Sequence, residues 1–173
     1  MWVDQRGSEV LSRNEALRLV AVAAKHGAIG RLAVSTDGAP FVHPVNFAFD
    51  NGRVLVRIGD GFMRRVASGS RVAFEVDGSG PGTGSGHGVA WSVLVRGLAT
   101  SAGKDIDAAT PFVTSPMPSV PRPGSHLLAI STDVVTGRRF PLRPDDPSFA
   151  VASHAPTHQG RKASVDVSGE RSP

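Results

Sequence analysis

Apolar residues recur at helical spacing in one long stretch of the chain. Between residues 12 and 26, Leu17, Val20, Ala21 and Ala24 fall on one face of a 3.6-residue period. Ser12-Arg13-Asn14-Glu15 stands in front of them as a capping box. The Ser12 hydroxyl can accept from the Glu15 amide, and the Glu15 carboxylate from the Ser12 amide. Gly27 supplies a stop, because a residue without a Cβ turns left-handed at little cost.

Past Gly27 the period drops to two. Residues 29–35 predict a strand, and Thr36-Asp37-Gly38 a turn. Residues 41–50 predict a second strand. Phe41, His43, Val45, Phe47 and Phe49 share one face, and Val42, Pro44, Asn46 and Ala48 the other. Asp50-Asn51-Gly52 is a hairpin signal, since Asn-Gly tolerates the positive φ that such turns need. Further strands are expected at 53–58, 71–76, 90–101 and 127–135, the last extending towards Phe140, with a short helix at 62–68. Six strands on hairpin-length links, with one long helix, describe an antiparallel barrel and not a βαβ fold. Pro44 sits inside a strand and cannot donate to a ladder, so it marks an edge, a bulge or an opening.

Two insertions interrupt the pattern: a glycine-rich loop at 78–88 and a proline-rich connection at 109–125. From residue 141 the chain is polar, with too little apolar content to offset the entropy of ordering. The expected organisation is a barrel domain over residues 1–140 and a disordered tail over 141–173. No internal repeat is visible.

Composition narrows the chemistry. The 173 residues suit one domain. With no cysteine there is no disulfide, thiol nucleophile or thiolate metal site. Met1-Trp2-Val3-Asp4-Gln5-Arg6 has no basic region leading into an apolar stretch, so no signal peptide is expected. No apolar run reaches the length of a membrane span. A cytoplasmic protein is the expectation. The net charge of +4 is carried by residues 1–140 and suits an anionic small ligand. It is too small to announce nucleic-acid binding, and the absence of tyrosine leaves few stacking platforms.

The candidate sites are few. The run Gly80-Pro81-Gly82-Thr83-Gly84-Ser85-Gly86-His87-Gly88 is followed by a strand and not a helix, so it reads as a flexible hairpin loop and not as a phosphate cradle. Six histidines show no ligand spacing on a helix, and no metal site is expected. No serine stands in a nucleophile elbow. His43 draws notice beside Pro44 and Asn46, although a structural histidine is the simpler reading. Arg57, Arg64 and Arg65 surround the turn Gly59-Asp60-Gly61. Guanidinium groups and free turn amides make a phosphate cradle, and a solvated basic face is the equal alternative.

Six stretches taken together resemble the pyridoxamine 5′-phosphate oxidase-like family of FMN-binding split barrels. They are Ile29-Gly30-Arg31-Leu32-Ala33-Val34-Ser35, Pro40-Phe41-Val42-His43-Pro44-Val45-Asn46-Phe47, Arg57-Ile58-Gly59-Asp60-Gly61, Arg71-Val72-Ala73-Phe74-Glu75-Val76-Asp77, Trp91-Ser92-Val93-Leu94-Val95-Arg96-Gly97 and Val135-Thr136-Gly137-Arg138-Arg139-Phe140. They lie in the family's order across residues 10–140. The resemblance implies a mainly β fold: a six-stranded antiparallel split β-barrel with one N-terminal helix and short additional helices. It also implies a homodimer whose barrels share clefts for FMN, a small-molecule substrate, and neither a nucleic-acid nor a membrane partner. His43, Pro44, Val45 and Asn46 would line the flavin ring. Arg57, Ile58 and Gly59, helped by Arg64 or Arg65, would approach the phosphate, and Trp91 would help close the cleft, from the partner subunit in one version. No catalytic side chain is implied.

One departure stands out. The family's phosphate turn often reads Thr-Gly-x-Gly-Ser-Lys, whereas this chain has Ile58-Gly59-Asp60-Gly61-Phe62-Met63. Two hydroxyls and a cation are missing, and Asp60 adds a negative charge. Two functional readings follow from the sequence. One is an FMN-dependent oxidoreductase, with a deazaflavin as the alternative cofactor. The other is a non-catalytic barrel with weakened or lost flavin binding, acting as a ligand-binding or sensing dimer.

Overall fold

A computed structural model of the chain describes residues 2–3, 8–80, 88–102 and 126–142. In chain order the elements are β1 (Trp2–Val3), β2 (Glu9–Val10), α1 (Arg13–Lys25), β3 (Ile29–Thr36), β4 (Ala39–Asp50), β5 (Arg53–Ile58), α2 (Phe62–Ala67), β6 (Arg71–Gly80), β7 (Val89–Ser101), β8 (His126–Ile130) and β9 (Val134–Pro141). The chain divides into units of residues 1–143 and 144–173, and the second lies outside the described residues. So do the expected loop at 109–125, residues 81–87 of the glycine-rich loop and nearly all of the expected disordered tail. Pro141 instead closes β9, and the Leu142 amide donates to the Gly88 carbonyl at 2.7 Å.

Local chemistry accounts for the element ends. Ser12 caps α1 with both arms of the capping box: the Glu15 amide donates to the Ser12 hydroxyl at 3.3 Å, and the Ser12 amide to the Glu15 carboxylate at 3.0 Å. Gly27 follows with φ 68°, ending the helix in the left-handed region. Asn51 and Gly52 take φ 47° and 74°, the paired positive values of a tight hairpin turn between β4 and β5. The face that α1 buries differs from the one its spacing suggests. Ala16, Val20 and Ala23 are buried, while Leu17 and Ala21 are only partly covered. The helix is apolar around most of its girth, so docking against β4 and β9 chose the face.

The strands are all antiparallel and run β1-β2-β9-β7-β6-β3-β4-β5-β8, with a further β7–β8 pairing. That last pairing closes β7-β6-β3-β4-β5-β8 into a six-stranded barrel, and β9, β2 and β1 extend the sheet from β7. Alternate residues point inward, among them Leu32, Val34, Val54, Val56, Phe74, Val76, Val93 and Val95, which form one core cluster. Phe47 and Phe74 meet at its centre with ring centroids 4.8 Å apart. Burying each such side chain is worth about 1.5–3 kcal/mol. The helices add Ala16, Val20, Ala23 and Ala67 to the same cluster.

The last expected strand is two strands. Residues 126–130 and 134–141 pair with the same edge of β7, but with different parts of it. β9 takes Val89 to Arg96, and β8 takes Ala99 to Ser101. The change of partner falls at Gly97 and Leu98. There the Ser131 amide donates to the Leu98 carbonyl at 3.0 Å, and the Leu98 amide to the Ser131 hydroxyl at 2.8 Å. A Cβ on Gly97 would lie 1.7 Å from the Ser131 carbonyl oxygen. Only glycine admits this crossing.

Two variants test these points. Gly97→Ala must push the β8–β9 link off β7, so it should cost about 3 kcal/mol or more. Gly59→Ala, whose added Cβ meets nothing within 4 Å, should melt like the parent. Equal melting of both variants would contradict the crossing. In the capping box, the Ser12 hydroxyl and amide hold the Glu15 carboxyl below its ordinary value. The folded state therefore binds the proton less readily than the unfolded one. The stability from this pair is complete above the unfolded carboxyl value and is lost as pH falls through the folded one. Acid melts of the parent should show that loss, and Glu15→Gln should not.

Candidate functional site

The site is built on the change of partner within β4. Residues 39–46 pair with β3, from Ala39 opposite Thr36 to Asn46 opposite Ile29. Residues 47–50 pair with β5, from Phe47 opposite Val56 to Asp50 opposite Arg53. Among the described residues, no strand covers the second edge of 39–46. Residues 39–44 are accordingly exposed, Val42 at 62%. Pro44 stands in this open stretch, as its lack of an amide hydrogen predicts.

The expected flavin-lining residues divide here. His43 and Pro44 are exposed, opposite Leu32 and Arg31, and Asn46 is half-buried opposite Ile29. Val45 is buried in the core and can offer only backbone to a ligand. On β5, Ile58 is also a core residue, whereas Arg57 is exposed. Ala48 and Leu55 face each other on the outer side of β4 and β5. Two residues onward in each direction, Asn46 and Arg57 share that side. The chain thus brings Asn46 and the first cation of the turn onto one surface, while His43 lies on the other face of the strand.

The turn leads into α2, and here the apolar departures have a structural role. Phe62 meets Phe41 of the open strand edge-on, with centroids 4.9 Å apart. Met63 packs on the core with Val66. The two positions where a hydroxyl and a lysine were expected instead tie α2 to the barrel. Gly59 is exposed, with open space around it.

Asp60 organises the charges. Arg64 donates to its Oδ1 at 2.9 Å, an i,i+4 pair on the first turn of α2. The same oxygen lies 3.7 Å from Nε2 of His126. His126 arrives there because β8 pairs with β5, which sets it opposite Ile58. Its Nε2 is buried and makes no hydrogen bond among the described residues. Arg64 holds the Asp60 carboxyl below its usual value, with smaller contributions from His126 and Arg65. Sequence reading singled out Arg64 and Arg65 but not their partners. The Asp60–Arg64 spacing was a visible clue, whereas His126 depends on strand pairing.

Trp91 lies elsewhere. It is half-buried against the core, opposite Gly78 of β6 and Arg139 of β9. A Cβ on Gly78 would come within 2.6 Å of the indole, so glycine leaves the ring its place. Two strands, β6 and β3, separate Trp91 from β4 within one chain. A shallow groove of about 490 Å³ lies on the outer face of β3, β6 and β7, lined by Ala33, Ala73, Arg71 and Arg96 among others. None of the expected cofactor residues lines it. The described residues hold no cluster of three or more potential metal ligands. No described helix is long and apolar enough to cross a membrane.

Comparison with solved structures agrees with this architecture. An FAD-binding protein from Mycobacterium smegmatis is 25% identical, with a TM-score of 0.55 over 77% of this chain and 98% of its own. An FAD-binding protein from Mesorhizobium loti is 23% identical, with a TM-score of 0.59 over 76% and 97%. A conserved protein of unknown function from Corynebacterium diphtheriae is 25% identical, with a TM-score of 0.56 over 77% and 98%. A search of curated proteins finds no match. The family model described as pyridoxamine 5′-phosphate oxidase matches residues 12–139, the span that holds α1, the barrel and the turn with Asp60. The chain belongs to the pyridoxamine 5′-phosphate oxidase family.

Proposed function

We propose that this protein is a flavin-dependent oxidoreductase that binds FMN and works in the cytoplasm as a homodimer on a small-molecule substrate. The observation that carries the reading is the exposed, unpaired edge of β4 beside a cationic turn, in a chain of this family. An unpaired strand edge presents backbone donors and acceptors at regular spacing, which suits the polar edge of a flavin ring. His43, Pro44 and Asn46, with the backbone at Val45, would hold the ring. Arg57, Arg64 or Arg65, and the backbone at Ile58 and Gly59 would hold the phosphate. The flavin supplies hydride transfer, and these residues orient it and its substrate. Several structurally similar proteins are named for binding FAD, which supports a flavin in general. A deazaflavin fits the same edge.

The proposed homodimer has support of its own. On the outer face of the sheet, Val42, Ala33, Ala73, Arg96 and Val134 lie in one row across β4, β3, β6, β7 and β9. Val42, Leu94, Leu98 and Val134 on this face are 36–62% exposed. Exposed apolar side chains on one face support a seam between two copies.

A second reading rests on the turn itself. Phe62 and Met63 are committed to packing and Arg64 to Asp60, which favours a barrel that binds flavin weakly and acts as a ligand-binding or sensing dimer.

The purified protein should show a flavin absorbance band, or acquire one on adding FMN, and should oxidise a reduced nicotinamide or reduce a partner dye. A colourless protein that takes up no FMN would sink the flavin reading. Uptake without turnover would favour the second reading. Sedimentation should give a dimer. Val42→Asp, a charge on an already exposed position, should shift it towards monomer while leaving the far-UV spectrum unchanged.

A further inference from the structure

The arrangement around Asp60 points to a control on ligand phosphate that the family resemblance does not supply. Two groups converge on one carboxylate oxygen. Arg64 holds it at 2.9 Å, and the buried Nε2 of His126 waits 3.7 Å away. Asp60 itself is exposed, as is Arg64, so the ion pair opens to solvent on the side a ligand would approach.

We infer that Asp60 is a built-in competitor for the ligand's phosphate: it occupies Arg64 until a phosphate takes the guanidinium, and Asp60 then turns to His126. The inference rests on the reading of this turn as the phosphate end of the flavin site.

The physical case has three parts. First, the Arg64 Nη1 that Asp60 holds cannot give the same N–H to a phosphate, so an anion that takes this donor displaces Asp60. Second, an exposed ion pair is held weakly, typically by less than about 1 kcal/mol, so displacement is cheap. Third, the displaced carboxylate needs a donor. His126 offers a ring nitrogen that is desolvated and has no hydrogen bond among the described residues, a costly state that a hydrogen bond from Nε2–H to Asp60 would relieve. The backbone fixes both alternatives, since α2 carries Arg64 and the β5–β8 ladder carries His126. Arg65, whose charge also reaches Asp60, supplies attraction common to both positions.

Asp60 would thereby set how much a terminal phosphate contributes to binding. Riboflavin, which lacks the phosphate, should be indifferent to Asp60, whereas FMN and inorganic phosphate should respond to it.

The test compares full-length parent, Asp60→Asn, Arg64→Gln, the double variant and His126→Phe, each checked for its melting temperature. Riboflavin and FMN are titrated by fluorescence, and inorganic phosphate by the shift of its own phosphorus NMR signal. In Asp60→Asn, phosphate and FMN should bind up to about fivefold more tightly, with riboflavin unchanged. Adding Arg64→Gln should abolish that gain. His126→Phe should weaken FMN relative to riboflavin in the parent but not in the Asp60→Asn background. Equal phosphate affinity in parent and Asp60→Asn, or a gain that survives Arg64→Gln, overturns the inference. Tighter inorganic phosphate in Asp60→Asn without flavin binding by any variant would sustain the competition at Arg64 and reject the flavin reading of the turn.

Discussion

The barrel depends on one close crossing, where the backbone at Gly97 passes the Ser131 carbonyl with no room for a Cβ. Because of it, β7 can serve two partners along a single edge, β9 before the crossing and β8 after it. Without β8 on β7 there is no closure, and β8 would end an open sheet. The same β8 pairs on its other side with β5, which sets His126 opposite Ile58 and so beside Asp60.

A second change of partner, in β4, opens what the first one closes. The strand is long enough to pair with β3 over one part and with β5 over the rest, and the two ladders meet at Asn46 and Phe47. Each ladder covers a different edge, so among the described residues no strand covers one edge of 39–46. A proline is tolerated there because no ladder asks for its amide. Phe41 and Phe62 then close the distance between this edge and α2 with an aromatic contact. The apolar replacements in the turn thus serve the architecture of the site, while the cations around them carry its electrostatics.

The charges are arranged for restraint. Arg64 faces outward but is matched by Asp60 on its own turn, and His126 stands behind with a desolvated nitrogen. On the sheet surface, Arg31 is likewise bound to Glu75 and Asp77, and Arg71 to Asp133. A net positive chain therefore presents less unmatched cation than its composition suggests, and what it binds depends on which of these pairs a ligand can break.

Much of this was legible in the chain. The capping box at Ser12, the Asn51-Gly52 turn, the alternation of the strands and the anomaly at Pro44 each follow from rules that span a few residues, and the ordered motifs matched the family. The buried face of α1 was not legible, because a helix apolar on most sides leaves the choice to its neighbours. The division of the last strand at Ser131 was hidden too, since alternation continues past it and only contact with Gly97 breaks the ladder. The phosphate turn shows the limit most clearly. Its sequence displays Asp60 beside Arg64 and Arg65, four residues of helix apart or nearly so. That a histidine from a distant strand shares the same carboxylate is decided by the β5–β8 ladder, because strand pairing joins residues whose separation along the chain carries no periodic signal.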